Sequence, residues 1–398
     1  MSTAPLIPQG YKLAGVHCGL KKSSQNPDLA LFVSDRPAAA AGVYTQNLVF
    51  AASVAHNRGL TPAADIRAVV VNSGNANAAT GERGLADARR MAALAAEIAG
   101  AGPTQALVMQ TGIIGEFMAM PKFEAGIAAA ANQLAANAAA LDSASRGLMT
   151  TDTVPKVFGR QLKIGGGEVR VLGLAKGAAM IGPNMATMLG LVLTDAAVDA
   201  GALQEILSEA VDDSFNCISV DGHMSTNDTV LLLANGTAGV SPEGAGAKAF
   251  AQAVREVCAD LAEAIIADGE GATHLIELEV RGCAGRAQAH RIAKTVAESP
   301  LVKTAVAGAD PNWGRIVSAA GYAGVAFRPE GVRLTVNGFK LFERGAPLPF
   351  DADQVSTSIR DQRETKVVLE FSEGDASVRF LTTDLTAEYV RLNADYHT

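Results

Sequence analysis

Short apolar stretches rich in β-branched residues recur along the chain and predict mostly buried strands. They are LALFV (29–33), RAVVVN (67–72), EVRVLGLA (168–175), TVLLLA (229–234), LIELEV (275–280) and TKVVLEF (365–371). Between them, alanine-rich stretches with apolar residues at helical spacing predict helices over 85–99, 123–140, 247–267 and 288–297. The glycines at 165–167 predict a hairpin turn.

The order of these elements favours an α/β (α+β) fold. Strands come in clusters as well as alternating with helices, which fits layered sheets covered by helices better than a repeating βαβ wheel. A chain of 398 residues with 48% hydrophobic residues can bury a large core. We therefore expect two or three domains or lobes.

Composition excludes several classes of protein. The formal net charge is -8, and lysines and arginines are scattered, so nucleic acid is not an expected partner. No apolar run approaches the roughly 20 residues that a bilayer requires, and no leader pattern is recognised, so a cytoplasmic protein without membrane contact is expected. The cysteines and histidines lack the spacing of metal sites, so no metal is expected.

The most informative window is KGAAMIGPNMATML (176–189), which an apolar run follows directly. Its turn-forming residues predict a loop that delivers Ala186 and Thr187 to the mouth of a buried strand. A threonine hydroxyl bent against the preceding carbonyl can shift the acyl group from nitrogen to oxygen. Hydrolysis then exposes an amine of pKa about 7.7–8.0, which can accept the proton of its own hydroxyl. By itself this pattern also fits an ordinary strand residue.

Further motifs extend over nearly the whole chain in a fixed order. They are VNSGNANAATG (71–81), TGIIG (111–115), TTDTVPK (150–156), STNDTVLLLANG (225–236), DGEGAT (268–273), SPLVKTAVAGADPNWGR (299–315) and YVRLNADYHT (389–398). Together with the window at 176–189, this array resembles the ornithine acetyltransferase family of arginine biosynthesis, also called the glutamate N-acetyltransferase family.

The resemblance implies an N-terminal-nucleophile-like enzyme that cuts its own Ala186–Thr187 bond. The products would be an alpha fragment, 1–186, and a beta fragment, 187–398, which share one core and pair into a heterotetramer. Thr187 would take the acetyl group of N-acetylornithine and pass it to glutamate. No cofactor is implied, although some family members also use acetyl-CoA as the acetyl donor.

The resemblance also implies the roles of single residues. Thr111 and Gly112 correspond to the oxyanion hole, where a glycine lets a backbone N–H approach closely. An ammonium at Lys176 suits the α-carboxylate of the substrates, and a carboxylate at Glu270 suits the amino group of ornithine. The residues implied to contact substrate are Thr150, Lys176, Thr187, Glu270, Asn393 and Thr398. Thr151 and Thr153 are alternatives to Thr150 that could instead cap a turn.

The chain departs from the family pattern at several positions without losing a catalytic group. They are Gln110, Ala178, Ala179, His223, His274 and His397. His274 and His397 lie near implied substrate contacts in the sequence, so a paralogue acting on another acetylated amino acid stays an alternative. A second alternative is an amidohydrolase or aminopeptidase, in which water resolves the acyl-enzyme. A dinucleotide-binding protein is disfavoured because no GxGxxG follows a strand and opens a helix.

Two other polar clusters carry no implied role in catalysis. In DPNWGR, Asp310, Asn312 and Arg315 surround Trp313, the only tryptophan. We expect this cluster to be a buried network that braces the site. The turn NSGNAN could line the cavity or could be a turn and nothing more.

Overall fold

The computed structural model describes residues 6–21, 26–182 and 188–395. Within these residues the strands form two mixed sheets with helices packed on them, which confirms the layered α/β architecture. No helix in this part of the chain is both long enough and apolar enough to cross a bilayer.

The first sheet has eight strands in the order β4-β3-β2-β9-β7-β6-β5, with β1 also paired to β2. Its strands are β1 (Tyr11–Val16), β2 (Leu29–Tyr44), β3 (Ala63–Asn75), β4 (Ala106–Ile113), β5 (Lys156–Ile164), β6 (Gly167–Lys176), β7 (Leu189–Thr194) and β9 (Thr229–Ala234). The long β2 pairs with β1 and β3 and, in its second half, with β9. The pairs β3–β4 and β7–β9 are parallel, so the ends of β3 and β4 meet at one edge.

Six helices accompany this sheet. They are α1 (Ala52–Arg58), α2 (Gly81–Ile98), α3 (Met120–Ala131), α4 (Ala138–Leu148), α5 (Ala200–Asp212) and α6 (Ala245–Ala267). Helices α5 and α6 bury Leu203 and Leu261 against Val192 and Val230 of the sheet. On other surfaces of the sheet, α4 packs in one apolar cluster and α2 with α3 in another. The sheet is thus covered by apolar helix faces.

The second sheet has the strand order β13-β12-β11-β14-β10-β15-β8. Its strands are β8 (Ile218–Ser219), β10 (Leu275–Cys283), β11 (Arg333–Val336), β12 (Phe339–Glu343), β13 (Ala346–Pro347), β14 (Glu364–Glu370) and β15 (Ala376–Thr383). The remaining helices are α7 (Arg286–Ala297), α8 (Pro300–Ala307), α9 (Trp313–Gly321), α10 (Ala352–Arg360) and α11 (Ala387–Asp395). Residues of α7, α8, α9 and α10 bury their apolar side chains in the core of this sheet.

The predicted strands, helices and hairpin agree with the structure except at one helix. All six predicted strands fall on strands, and the hairpin forms with Gly165 and Gly166 at φ of +56° and +83°. The single helix predicted over 123–140 is wrong, because α3 ends at Ala131 and α4 begins at Ala138. Asn137 caps α4 by accepting from the amide of Ala140, and Ala135 forms a bridge with Leu13. A tertiary contact and a cap therefore divide a stretch that composition alone makes continuous.

Strands from both sides of position 186 lie next to one another in the first sheet. Strand β6 is antiparallel to β7, with Lys176 opposite Leu189, and β9 lies between β7 and β2. Residues 1–186 and 187–398 therefore contribute to one continuous sheet and to shared apolar clusters.

Candidate active site

A cavity of about 580 Å³ lies where several strand ends meet. The ends of β3, β4 and β6, the segment between β8 and β9, and α11 form its walls. Six residues that the sequence analysis assigned to the site line this one cavity: Thr111, Gly112, Thr150, Lys176, Glu270 and Asn393. Ala186, Thr187 and Thr398 lie outside the described residues.

The oxyanion-hole candidates lie at the end of β4, where the backbone requires glycine. Gly112 has φ +133°, and a Cβ there would lie 2.3 Å from the carbonyl carbon of Gly74 and 2.4 Å from the nitrogen of Asn75. Any side chain would push β3 and β4 apart. The close approach therefore serves the packing of two backbones, in addition to the predicted access to the cavity.

Buried amide side chains fix the loops beside this strand end. Asn227 donates from Nδ2 to the carbonyl oxygens of Ala76 at 2.7 Å and Gln110 at 2.9 Å. Asn77 is fully buried and donates to Gly84 and to the side chain of Gln110. The turn at 72–77 is therefore mainly a structural brace, although Gly74 and Ala76 also line the cavity.

Lys176 is the last residue of β6 and is buried at the cavity wall. Its Nζ donates to Thr111 Oγ1 at 3.2 Å. Burial lowers the pKa of Lys176, and the nearby Asp152 and Asp228 offset part of that effect. The ammonium thus lies against the proposed oxyanion hole, and a neutral hydroxyl is its hydrogen-bonding partner.

A buried group of charged side chains, Asp152, Lys156 and Asp268, lies next to Thr150 and Lys176. Lys156 Nζ donates to Asp152 Oδ1 at 2.7 Å and to Asp268 Oδ2 at 2.6 Å, and its side chain is fully buried. Burial alone would raise the pKa of Asp152, but Lys156 and Lys176 hold that pKa below its ordinary value.

The same carboxylate of Asp152 fixes the backbone at Thr150 and next to Lys176. It accepts from the amides of Thr150 at 3.0 Å and Gly177 at 2.7 Å. Thr150 and Thr151 line the cavity, whereas Thr153 donates through both its amide and its hydroxyl to Asp268. The sequence analysis did not identify this group of charged side chains, although Asp152 and Lys156 have the i, i+4 spacing of an ion pair.

Helix α11 contributes to the cavity wall next to two acidic side chains. Asn393 Nδ2 donates to Glu270 Oε2 at 3.2 Å, and Tyr389 Oη donates to Asp221 Oδ2 at 3.1 Å. Asp221 also accepts from the amide of Met180 at 2.6 Å. The prediction that the C-terminal region folds over the cavity therefore holds as far as the described residues reach.

Asp228 lies beside the start of β7 and was not singled out from the sequence. It is fully buried, and its Oδ1 accepts from the amide of Met188 at 3.1 Å. Among described residues its Oδ2 has no hydrogen-bonding partner. Burial raises the pKa of Asp228 well above the ordinary range of a carboxyl group.

Lys21 is a second lysine at the cavity that the sequence analysis missed. Its Nζ donates to the carbonyl oxygen of Pro27 at 2.8 Å. Burial lowers the pKa of Lys21, while Asp28 and Asp152 raise it.

The histidines and the DPNWGR cluster lie in different places. His223 lines the cavity, whereas His274 is absent from its wall and contacts Asp384 with Nδ1 at 3.1 Å; His397 lies outside the described residues. In the cluster, the side chain of Asn312 caps α9 and Trp313 stacks on Phe342 with ring centroids 5.4 Å apart. The expected structural role is kept, but the prediction of a buried network bracing the site is wrong, because Asp310 is exposed and the cluster lines no part of this cavity.

No group of three or more His, Cys, Asp or Glu side chains in 6–21, 26–182 and 188–395 is arranged to hold a metal ion. The cavity offers ammonium, carboxylate, hydroxyl and backbone N–H groups on different walls. Such a set suits small amino acids that carry both charges.

Comparisons with known proteins agree with the motifs. The model of the ArgJ family matches residues 12–398. The arginine biosynthesis bifunctional protein ArgJ of Rhodopirellula baltica is 44% identical over 402 residues, covering 100% of this chain and 98% of that protein. The protein of the same name from Symbiobacterium thermophilum is 47% identical over 395 residues, 98% of each chain. A crystal structure of ArgJ from Bacillus halodurans aligns with 51% of this chain and 96% of its own, at 38% identity and a TM-score of 0.49.

Proposed function

The chain belongs to the ArgJ family, and from this premise we propose that it is a cytoplasmic, self-cleaving acetyltransferase of arginine biosynthesis. It moves the acetyl group of N-acetylornithine to glutamate through an acetyl ester on Thr187. The relatives are named bifunctional, and the second activity proposed here is acetylation of glutamate with acetyl-CoA as the donor.

In the first half-reaction, the Thr187 hydroxyl attacks the acetyl carbonyl carbon of N-acetylornithine. The free amine of Thr187 takes the hydroxyl proton and returns it to the departing nitrogen of ornithine. A C–O bond forms, the amide C–N bond breaks, and ornithine leaves. In the second half-reaction the glutamate amine attacks the ester and reverses these steps, which gives N-acetylglutamate.

Each half-reaction passes through a tetrahedral species with a negative oxygen. Thr111 and the backbone at Gly112 are the proposed donors to that oxygen, and a donor of this kind contributes about 2.7–4 kcal/mol in comparable sites. Lys176 beside Thr111 adds a positive charge and binds the α-carboxylate that both substrates share. Thr150 contacts the same end of the substrate, Glu270 binds the amino group of ornithine, and Asn393 and Thr398 complete the contacts.

One observation carries the proposal. Residues from seven separate motifs, between 74 and 393 in the sequence, line a single cavity. The long β6–β7 connection leaves from Lys176 at the wall of that cavity. This convergence supports a shared catalytic role for motifs that are far apart along the chain.

The proposed fragments, 1–186 and 187–398, are expected to stay together after cleavage and to pair into a tetramer. The shared first sheet supports their association. The bond between Lys156 of the first fragment and Asp268 of the second adds a buried ion pair at 2.6 Å.

Thr187→Ala is the direct test of this proposal. The variant is expected to remain one uncleaved chain by intact mass and to transfer no acetyl group. Thr187→Ser is the matched control, because it keeps a hydroxyl and an amine, and we expect it to be cleaved and to retain partial activity. An uncleaved wild-type chain that transfers acetyl groups would refute the mechanism.

The hydrolase alternative is tested with labelled N-acetylornithine, with and without glutamate. Acetyl transfer is expected to give labelled N-acetylglutamate and little acetate. Acetate release that glutamate does not suppress identifies an amidohydrolase instead. Labelled acetyl-CoA in place of N-acetylornithine tests the second donor in the same assay.

A further inference from the structure

The cavity wall carries charges of both signs, and the roles assigned above explain only some of them. Lys21 and Lys176 line it together with Asp221 and Glu270. The two acids are hydrogen-bonded to Tyr389 and Asn393 of α11. The two lysines interact electrostatically with each other and with Asp152.

Each lysine has a neutral hydrogen-bonding partner among the described residues. Lys176 donates to the hydroxyl of Thr111 and Lys21 to the carbonyl oxygen of Pro27. An ammonium donates three hydrogen bonds, and burying it beside another ammonium is costly unless anions compensate the charge. The carboxylates near these lysines already have other hydrogen-bonding partners. Asp152 is bonded to Lys156 and to two backbone amides, and Asp28, which also acts on Lys21, accepts from the backbone amides of its own turn. The cavity is therefore suited to a ligand with more than one negative group.

Hydrogen bonds to one carboxylate fix the backbone of the segment that carries Lys21. The fully buried carboxylate of Asp28 accepts from the amides of Cys18 at 2.6 Å, Leu20 at 2.8 Å and Lys21 at 3.0 Å. A fixed turn of this kind holds the lysine backbone in one place at the cavity wall, so the ammonium needs little reorganisation to bind.

The two proposed substrates differ at the end of the side chain. Ornithine ends in an ammonium, whereas glutamate ends in a second carboxylate, and both react at the same threonine. The acids on the α11 side suit the ammonium, but they would repel a carboxylate. Glutamate, the acetyl acceptor, therefore requires a cation for its side-chain carboxylate, which N-acetylornithine, the donor, does not.

We propose that Lys21 is a specificity-determining residue that binds the side-chain carboxylate of the dicarboxylic acceptor. Lys176 then binds the α-carboxylate common to both substrates. This inference rests on the proposed acetyl transfer. It differs from that proposal because it concerns the choice of acceptor and not the reaction.

The test measures the two half-reactions separately in the cleaved wild-type enzyme and in Lys21→Met. Acetyl-enzyme formation is followed by ornithine release from N-acetylornithine, and deacetylation is followed with glutamate, glutamine or labelled ornithine as the acceptor. We expect Lys21→Met to raise the KM for glutamate by about 10- to 100-fold, as loss of a charged hydrogen bond does. Ornithine release and exchange should change by less than about 2-fold, which is within additivity error. The preference for glutamate over glutamine should disappear.

Two further variants serve as controls. Lys21→Arg keeps the charge and should keep most of the preference for glutamate. Lys122→Met removes an exposed lysine that donates to Gly19 of the same turn but is not part of the cavity wall, and it should behave as wild type. Lys21→Gln replaces the methionine variant if that variant does not fold.

The outcomes separate the two proposals. If wild type transfers acetyl groups and Lys21→Met keeps its preference for glutamate over glutamine, the role of Lys21 is refuted while the function stands. The role is also refuted if both half-reactions fall equally. If wild type forms no acetyl-enzyme from N-acetylornithine, the proposed function fails, and the inference fails with it.

Discussion

Lys156 offers a quantitative test of the buried charges behind the site. Its side chain is fully buried between Asp152 and Asp268, whose side chains are 0% and 7% exposed. Lys156→Met leaves two carboxylates in the interior with one cation fewer. Removing one member of a buried ion pair costs about 3–5 kcal/mol, because the remaining charge is uncompensated.

This free energy translates into a measurable shift in melting temperature. An unfolding entropy of roughly 2.1 cal/mol/K per residue gives about 0.8 kcal/mol/K for this chain, so the midpoint should fall by about 4–6 °C. Lys366→Met is the matched control, since Lys366 also contacts two carboxylates, at 2.9 and 3.5 Å, but its side chain is 53% exposed. Exposed pairs contribute about 0–1 kcal/mol, so this variant should lose about 1 °C or less.

The loss of stability in Lys156→Met should also depend on pH. The pKa of Asp152 is lowered in the folded protein, so its contribution to stability is present above the unfolded pKa and lost as pH falls through the folded pKa. Without Lys156 the carboxylate of Asp152 should protonate more readily. The deficit of Lys156→Met should therefore be largest at neutral pH and shrink on acidification, and adding Asp268→Asn should recover part of it. A Lys156→Met midpoint within 1 °C of the Lys366→Met midpoint in calorimetry at about neutral pH would refute the reasoning.

Two further variants test single features of the site. Gly112→Ala should lower both the melting temperature and the rate of acetyl transfer more than Gly115→Ala does. Both glycines have positive φ, but only a Cβ at Gly112 would lie 2.3 Å from another backbone atom. Equal losses in the two variants would contradict the packing explanation. Asp228→Asn keeps an acceptor for the amide of Met188 and removes the ionisable group. Burial raises the pKa of Asp228, so the contribution of this group to folding stability is full below the unfolded pKa and is lost as pH rises through the folded pKa. In thermal melts the variant should therefore gain stability relative to wild type as pH rises. A difference that is constant with pH would show that Asp228 does not titrate as expected.

Local pattern was sufficient for the six predicted strands and for three of the four predicted helices. The predicted helix over 247–267 and the turn at 165–167 appear as α6 and as a tight hairpin, because alanine spacing and paired glycines act locally. The break between α3 and α4 could not be predicted in the same way. It depends on the pairing of Ala135 with Leu13, more than a hundred residues away.

The same distinction between local pattern and distant contacts applies to the residues of the site. Motifs identified Thr111, Lys176 and Glu270, and the fold brings them to one cavity. The supporting charges were missed because a buried Lys156 or Asp228 looks like any other charged residue until its distant partners are known. Burial, and not residue type, gives these groups their effect on the site.

The connection between β6 and β7 has a consequence for how this scaffold can change. Lys176 and Leu189 face each other in an antiparallel register that a two-residue turn could close, yet twelve residues separate them. The carbonyl oxygen of Ile181 in that connection accepts from the amides of Val220 and Asp221, so part of the extra length fastens the first sheet to the second. What remains is length that strand pairing does not require. Substitutions in that remaining length, which includes Thr187, are therefore expected to change the chemistry of the connection more than the pairing of β6 with β7.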